Sequence, residues 1–322
     1  MEPEVSIIVL NWNGGITTLA CIESLKKINY PNYNILIVDN ASTDGLIEKI
    51  PRRNGIKIIR NALNLGFAEG MNVGIRAVQP CQGGESEYVL VLNQDTVVHP
   101  DFLQELIRVA ESDSRIGIVG PKTYYYHTNT GAREIIYSCG TKYPTGKVFK
   151  IRIPYIVPEL IGFGEEERHQ YDTVFEVPAL CGCCMLIKRE VIQKVGLFDS
   201  RLFMVREDDD YCIRARKSGY KICVAPKSII WHRKIIDKNQ DKQNSNEPFG
   251  TYYRIRNWLL VTRKYFGVKV FIKILFAHSI KLALLPVLIW MKNTNLSFRS
   301  IPGYFWAYID ALTQRTPKRF LT

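Results

Sequence analysis

The sequence lacks the glycine signatures of the common phosphate-binding folds. Its first apolar run ends in the turn NWNGGITT, which does not contain the G-x-G-x-x-G expected after the first strand of a dinucleotide-binding domain. A Walker-type G-K-[ST] sequence is also absent from the chain. These two absences argue against a dinucleotide site and against a P-loop.

The sequence also lacks the cysteine spacing of a disulfide framework or a zinc site. It contains eight cysteines, and CGCC at 181–184 has no second pair at zinc-ligand spacing. We therefore expect reduced thiols in or near a strand, with a metal site as the less favoured alternative. A signal or transit peptide is not recognisable in the acidic N-terminus MEPEVSIIVLNWNGG, so we expect a cytoplasmic protein.

The positive charge is concentrated at one end of the chain. The 322 residues carry a net charge of +12, yet residues 250–322 hold 12 of the 43 Lys and Arg residues and one of the 31 acidic residues. The remainder is close to neutral and contains no known nucleic-acid-reading motif, so we expect no nucleic-acid partner. The 46 % hydrophobic content indicates a globular protein with a substantial core.

Short apolar runs alternate with amphipathic segments in the first half of the chain. The pattern predicts strands at 5–11, 34–40, 56–61, 88–95 and 116–121, and helices at 67–79 and 100–113. This alternation predicts an α/β fold with a mainly parallel sheet and helices on both faces. Polar residues stand at several strand ends, where such sheets bind ligands.

The order of motifs resembles the inverting family-2 glycosyltransferases of GT-A fold, and most closely their rhamnosyltransferase-like branch. The motifs are VSIIVLNWN, ILIVDNASTDG, NLGFAEGMNVGI, VLNQDT, CGCCMLIKREVIQKVGLFD and FMVREDDDYCIRARKSGYKICVAPKSIIWH, spread over about residues 4–232. The resemblance implies a nucleotide-diphosphate-sugar donor, a divalent metal (Mg²⁺ or Mn²⁺) and a hydroxyl acceptor. We expect a GT-A domain over 1–240, with a nucleotide-binding half at 1–121 and an acceptor-side half at 122–240.

The resemblance assigns donor-binding residues to the ends of the first strands and to the NLGF turn. They are Asn11, Trp12, Asp39, Asn64, Gly66, Gln94 and Asp95. Asp39 matches the acid that recognises the base or ribose, although an Asx-turn cap would use the same carboxylate. Gly66 would let the backbone approach the nucleotide, although an ordinary turn glycine would look identical.

The resemblance also implies a metal site. NQD at 93–95 stands where the family carries its D-x-D-like motif, so Asp95 matches a metal ligand, while Asn93 departs from the pattern. His232, at the end of SIIWH, matches the histidine that completes the site, and a purely structural histidine is the alternative. Asp95 and His232 would bind Mg²⁺ or Mn²⁺ together with diphosphate oxygens and water.

Four consecutive acidic residues at 207–210 begin a predicted helix. Free N–H groups and the macrodipole favour acids at a helix N-terminus, so capping alone is the alternative to a catalytic role. By resemblance, Asp208 matches the general base that deprotonates the acceptor, while Glu207 and Gly182 lie on the acceptor side. Like-charge neighbours are expected to raise the pKa of such carboxyl groups.

The other two acids of this run have structural interpretations. Asp210 lies four residues before Arg214, which is the spacing of an intrahelical ion pair. Asp209 occupies the variable position of the motif, and we expect it to be solvated.

The basic C-terminal region, residues 250–322, is expected to be helical and to lie on the anionic inner face of the cell membrane. The run at 268–291 is long enough to span a bilayer, but Lys281 lies near its middle. On a helix, Lys269, Lys273 and Lys281 share one sector, and the apolar residues of another sector are Phe271, Ile274, Leu275, Leu282 and Leu285. The alternative is a helical hairpin packed on the catalytic domain or on a second subunit.

The expected function follows from the resemblance. The chain would transfer a sugar, with inversion, from a nucleotide-diphosphate sugar to a glycan or lipid-linked acceptor in cell-surface polysaccharide or glycoconjugate synthesis. A non-catalytic nucleotide-sugar or polysaccharide-binding protein on the same fold is the alternative. A homo-oligomer is possible, and the sequence leaves the sugar, base and acceptor open.

Overall fold

The computed structural model describes residues 2–50, 55–78, 86–126, 134–143, 146–148, 151–153, 158–233, 248–290 and 301–315. The chain divides into two compact units. The N-terminal unit consists of Met1–Lys142, Pro158–Phe203 and Glu207–Lys234, and the C-terminal unit consists of Tyr143–Val157, Met204–Arg206 and Ile235–Thr322. The short segment Met204–Arg206 thus belongs to the C-terminal unit although both of its sequence neighbours belong to the N-terminal unit.

The N-terminal unit contains alternating strands and helices. Its strands are β1 (Val5–Asn11), β2 (Tyr33–Asp39), β3 (Ile56–Arg60), β4 (Tyr88–Asn93), β5 (Thr96–Val98), β6 (Ile116–Tyr125), β7 (Ile136–Ser138), β8 (Thr141–Lys142), β11 (Glu159–Leu160), β12 (Phe175–Glu176), β13 (Cys184–Lys188) and β14 (Lys221–His232). Its helices are α1 (Gly15–Leu25), α2 (Gly66–Val78), α3 (Phe102–Ala110), α4 (Arg189–Val195) and α5 (Glu207–Lys217). The C-terminal unit contains β9 (Gly146–Val148), β10 (Ile151–Ile153), α6 (Pro248–Trp290) and α7 (Ile301–Thr313). Every strand and helix predicted from periodicity is present, with boundaries shifted by a few residues.

The main sheet is mixed rather than mainly parallel, and its strand order is β12-β14-β6-β13-β4-β1-β2-β3. Strands β3, β2, β1 and β4 are parallel to one another. Strand β13 is antiparallel to both β4 and β6, while β14 is parallel to β6. Because β1, β2 and β4 are parallel, their carboxyl ends meet at one edge of the sheet.

Helices cover both faces of this sheet, as the continuous apolar strands predict. On one face, Val5, Ile7 and Val9 share a buried cluster with residues of α1 and α3. On the opposite face, a Cβ atom added at Gly74 of α2 would lie 2.5 Å from the Ile8 side chain. Helix α2 therefore packs directly on the strand, and the expected α/β fold class is confirmed.

The C-terminal unit is helical and has its own core. Helix α6 is interrupted at Gly267, whose φ of 79° and ψ of 172° are not helical. The core consists of Trp258, Leu259, Phe271, Ile274, Tyr308 and Ala311. None of the helices that the structure describes combines the length and the apolar composition that a membrane crossing requires.

One detail of the sequence interpretation is wrong in this unit. Phe271 is 2 % exposed and Ile274 is fully buried, so these two side chains do not form part of a lipid-facing sector. They point inward because the helix after Gly267 packs against α7 through this side. The predicted positions Leu282 and Leu285 lie outside the residues whose side chains the structure describes.

Candidate active site

The ends of β1 and β2 are joined by buried side-chain hydrogen bonds. Asn11 and Asp39 are paired in the strand register, and Nδ2 of Asn11 donates to Oδ1 of Asp39 at 2.8 Å. The Ser42 hydroxyl also donates to Oδ1, and the backbone N–H of Ser42 donates to Oδ2 at 3.3 Å. Asp39 is fully buried, and its two hydrogen bonds from Ser42 cap the turn after β2. Its contact with a base or ribose remains a prediction.

Gln94 connects the turn after β4 to the turn after β1. Its Oε1 accepts from the Trp12 backbone N–H at 2.6 Å, and its Nε2 donates to the Trp12 carbonyl at 3.1 Å. A Cβ atom at Gly14 would lie 2.1 Å from the Thr18 hydroxyl and 2.6 Å from Cδ of Gln94, so a larger residue would displace both side chains. Gln94 therefore fixes the backbone at Trp12, whose ring is 42 % exposed at this edge of the sheet.

The NLGF turn has a structural explanation for its glycine. Gly66 has a φ of 78°, and its N–H donates to Oδ1 of Asn64 at 2.8 Å. A Cβ atom at Gly66 would lie 2.5 Å from the Phe203 ring. The close approach of Phe203 thus requires glycine at this position, and contacts of Asn64 and Gly66 with a nucleotide remain predictions.

Asp95 and His232 lie side by side although 137 residues separate them in sequence. Strand β14 pairs antiparallel with β5, which places His232 opposite Thr96. Nε2 of His232 lies 3.0 Å from Oδ1 of Asp95. His232 is 2 % exposed and the Asp95 side chain is 33 % exposed, so the pair has one buried member and one that solvent reaches.

This pair fits a divalent cation in two respects. In an octahedral site with bonds of about 2.1 Å, neighbouring ligand atoms are about 3 Å apart, which matches the Nε2–Oδ1 separation. A carboxylate oxygen and an imidazole nitrogen are also ligands that Mn²⁺ accepts.

A second group of potential ligands lies outside the residues assigned from sequence. In the described part of the chain, the ligand atoms of one group of three such side chains converge, and the group consists of Glu167, His169 and Asp172. The Lys122 ammonium lies 3.0 Å from Glu167 and 2.9 Å from Asp172. A protein cation thus already neutralises these carboxylates, and we favour Asp95 and His232 as the metal ligands.

Asp208 and Gly182 are in direct contact. The backbone N–H of Gly182 donates to Oδ2 of Asp208 at 2.8 Å, and the N–H of Asp209 donates to Oδ1 at 2.8 Å. Asp208 is only partly exposed, and burial raises its pKa to about 7, with a further contribution from the neighbouring charges of Asp209 and Cys181. The prediction of a raised pKa is therefore confirmed, although burial contributes more than the like-charge neighbours.

Glu207 and Asp209 are both buried, at 6 % and 5 % exposure. The expectation that Asp209 is solvated is therefore wrong, because the first turn of α5 is enclosed on that side as well. Burial raises the pKa of Glu207 well above its usual range, and the charge of Asp208 adds to this shift. Oε2 of Glu207 is buried and has no hydrogen-bond partner among the described residues.

Asp210 has the structural role that its spacing predicts. Nε of Arg214 donates to Oδ2 of Asp210 at 2.9 Å, within α5. The same guanidinium donates to the carbonyl oxygens of Val195 and Leu197 at 2.8 Å each. Asp210 is fully buried and orients the Arg214 guanidinium, which ties α5 to the end of α4 and the residues just after it.

The two groups of acids are connected through β13. The Asn93 N–H, at the end of β4, donates to the Cys183 carbonyl at 2.9 Å. Gly182, which holds Asp208, directly precedes Cys183, and Asp95 follows Asn93 by two residues. The fold thus brings the base candidate and the metal candidate to the same edge of the sheet.

The described cysteines are all free thiols, as expected. Burial raises the pKa of Cys21 to about 12 and also raises those of Cys184 and Cys212. Such thiols are unreactive at neutral pH.

Two residues that are important to the site geometry, Ser42 and Gly14, were not predicted as site residues. For Ser42, the available signal was its position three residues after Asp39, which is typical of a turn capped by a side chain.

Comparison with known proteins identifies the family of this chain. A family model described as "Glycosyl transferase family 2" matches residues 6–196. The N-acetylglucosaminyl-diphospho-decaprenol L-rhamnosyltransferase of Mycobacterium tuberculosis is 24 % identical over 264 residues, which are 75 % of this chain and 80 % of that protein. The protein y4gI of Sinorhizobium fredii is 27 % identical over 74 % of this chain, but the match spans only 25 % of its own length.

Solved structures support the same fold. The crystal structure of GalNAc-T7 with UDP, GalNAc and Mn²⁺ superposes with a TM-score of 0.58 at 18 % identity. The superposition covers 79 % of this chain and 51 % of that one, so this chain matches about half of the solved protein. At this identity the likeness establishes the GT-A fold alone.

Proposed function

The chain belongs to glycosyl transferase family 2, and we propose that it transfers a sugar, with inversion, from a nucleotide-diphosphate-sugar donor to an acceptor hydroxyl. The observation that carries this proposal is the contact between Asp208 and Gly182. It orients a partly buried carboxylate whose pKa of about 7 suits a general base at neutral pH.

In the proposed reaction, Asp208 removes the proton from the acceptor hydroxyl. The hydroxyl oxygen then forms a bond to the anomeric carbon while the bond from that carbon to the diphosphate breaks on the opposite face, which inverts the configuration. The Gly182 N–H keeps one carboxylate oxygen in place during this step. Glu207, the residue before Asp208, is proposed to lie on the acceptor side.

The donor is proposed to bind at the carboxyl edge of the sheet. Asn11, Asp39 and Asn64 would contact the base and ribose, and Trp12, held by Gln94, offers an exposed ring beside them. Asp95 and His232 would hold Mg²⁺ or Mn²⁺. A cation bound there would neutralise the charge that develops on the diphosphate leaving group.

The sugar and the acceptor are proposed from a relative. The Mycobacterium tuberculosis relative is named as an L-rhamnosyltransferase acting on N-acetylglucosaminyl-diphospho-decaprenol. We therefore propose a deoxyhexose or hexose donor linked to a nucleoside diphosphate, and a saccharide linked to a lipid diphosphate as the acceptor.

Attachment to the inner face of the cell membrane is proposed for the C-terminal unit. Val268, Ile272 and Phe276 are 52 %, 55 % and 64 % exposed and follow one another at four-residue intervals along α6. The exposed Lys269 and Lys273 lie on the adjoining side of the same helix. An apolar stripe bordered by lysines suits a helix lying in an anionic lipid interface, which also holds a lipid-linked acceptor.

The alternative is a protein that binds a nucleotide sugar without reacting it. The fixed orientation of the Asp208 carboxylate argues against this alternative, because binding alone does not require a base.

The deciding experiment is a panel of UDP-, dTDP- and GDP-sugars with Mn²⁺, scored by thermal stabilisation of the protein and by donor hydrolysis. We expect one donor to stabilise the protein and to be hydrolysed slowly. Stabilisation without hydrolysis, and without transfer to a lipid-diphosphate saccharide, would favour the binding protein.

A further inference from the structure

The backbone just before the acidic residues adopts an unusual conformation. Phe203, Val205 and Arg206 have φ values of 60°, 69° and 78°, although none of them is glycine. Side chains with a Cβ atom disfavour this left-handed region, because Cβ approaches the following carbonyl. Such conformations persist only where the surroundings impose them, and they concentrate at functional sites. Some group must therefore hold this segment in place.

Asn257 provides that restraint. Its Nδ2 donates to the carbonyl oxygen of Met204 at 2.7 Å and to that of Val205 at 2.8 Å. Its Oδ1 accepts from Nη1 of Arg256 at 2.8 Å, which fixes the orientation of the amide. The Asn257 side chain is fully buried, so water does not compete for these hydrogen bonds. These contacts lie within the C-terminal unit, which includes Met204–Arg206.

A side-chain amide suits this contact. The two N–H groups of one Nδ2 atom reach two successive carbonyl oxygens, which a hydroxyl or a carboxylate does not do. The two carbonyls belong to residues four and three positions before Asp208. Only Arg206 stands between Val205 and Glu207, the first residue of α5.

We propose that Asn257 is a positioning residue for catalysis, which acts by holding the backbone of Met204 and Val205 so that Asp208 is presented to Gly182. The inference rests on the proposed function, in which Asp208 is the general base. Asn257 itself touches neither donor nor acceptor in this proposal. Its loss should therefore affect the chemical step and leave donor binding intact.

The test uses the full chain with Asn257→Ala, and Tyr252→Phe as the matched control. Tyr252→Phe removes another buried hydrogen bond of α6, from the Tyr252 hydroxyl to Asp310 at 2.8 Å, without touching the Met204 or Val205 carbonyls. We expect Asn257→Ala to lower kcat by roughly 10–100-fold with the donor KM within about threefold, because small misplacements of reacting groups cost about that much. The midpoint of its pH–rate profile should fall, since a displaced Asp208 is better solvated.

Hydrogen exchange gives a readout that does not depend on activity. A peptide covering residues 203–208 should exchange faster in Asn257→Ala than in the wild type, and at the wild-type rate in Tyr252→Phe. Faster exchange with unchanged kcat and pH profile would overturn the positioning role, as would unchanged exchange. If Asp208→Asn kept the wild-type rate, the proposed base would be wrong, while the exchange result would still show whether Asn257 holds the segment.

Discussion

The backbone N–H of Gly182 donates a 2.8 Å hydrogen bond to Oδ2 of Asp208, although the two residues are 26 positions apart. Gly182 precedes β13, and Asp208 lies in the first turn of α5. A Cβ atom at position 182 would lie 3.2 Å from the same oxygen, so a larger residue would crowd the carboxylate. The contact gives a physical meaning to the pairing of the CGCC and EDDD motifs, because it holds the EDDD carboxylate of Asp208 against the CGCC backbone.

Asp208→Asn should lower kcat by about 10²–10⁴-fold, the usual contribution of a general base, because an amide does not accept the acceptor's proton. Donor binding should be nearly unchanged. Steady-state kinetics with the donor found in the panel measures both quantities. The matched control is Asp101→Asn, a surface carboxylate of the same unit that should leave turnover unaltered. A rate above one tenth of wild type, combined with inactivation by Asp210→Asn, would transfer the role to Asp210.

The rate of transfer should depend on pH through Asp208. Its pKa is raised to about 7, so the active carboxylate form predominates above that pH and is lost as the pH falls. We expect log kcat to rise with unit slope below pH 7 and to level off above it, and Asp208→Asn to lose this dependence in its residual activity. A wild-type rate that stays constant from pH 8 down to pH 5 would contradict the assignment.

Asp208→Asn should stabilise the fold above neutral pH. The pKa of Asp208 is higher in the folded protein than its ordinary value of 3.8, so the folded state holds an extra proton between about pH 4 and 7. The stabilisation that this bound proton gives the folded state is lost as the pH rises through 7, because the buried carboxyl group then becomes charged. An asparagine at this position stays neutral at every pH. The Tm of the variant minus that of the wild type should therefore be larger at pH 8 than at pH 5, by roughly 2–4 °C for each kcal/mol relieved. An equal difference at both pH values would contradict the burial of this charge.

His232→Ala should weaken Mn²⁺-dependent binding of nucleoside diphosphate by at least about tenfold, since loss of even an indirect metal contact costs that much. Asp95→Asn should act in the same direction, and titration calorimetry with and without chelator measures the effect. His169→Ala is the matched control, because His169 is 84 % exposed and belongs to the other group of potential ligands. A loss with His169→Ala alone would move the cation to Glu167 and Asp172, and full activity in excess chelator would exclude the metal requirement.

Ile272→Glu should lower binding to vesicles of phosphatidylglycerol and phosphatidylcholine by roughly 10–100-fold, because it places a charge in the exposed apolar stripe of α6. High salt should release part of the wild-type protein. Ile16→Glu, at an isoleucine that is 73 % exposed in the N-terminal unit, is the control and should bind like the wild type. If the wild-type protein did not bind these vesicles at low salt, a helical hairpin packed on protein would be the better interpretation of residues 250–322.

The sequence by itself determined the local structure of the N-terminal unit. The apolar runs of β1 and β4, the helical spacing in α2 and the four-residue spacing of Asp210 and Arg214 depend on residues close together in the chain. Hydrophobic periodicity and intrahelical pairing act over these short distances, so they can be read without a partner.

Only the tertiary structure decided which groups meet and which faces are buried. The pairing of His232 with Asp95 depends on the register of β14 against β5, and a shift of one residue would turn the imidazole to the other face. The inward orientation of Phe271 depends on α7, and the burial of Asp209 on its neighbours in the folded unit. The contacts of Asn257 join residues more than 50 positions apart, and helical periodicity contains no information about such a distant carbonyl. The physical reason is common to these cases: a periodic pattern gives the repeat of an element, and only its packing partners select the side that becomes buried.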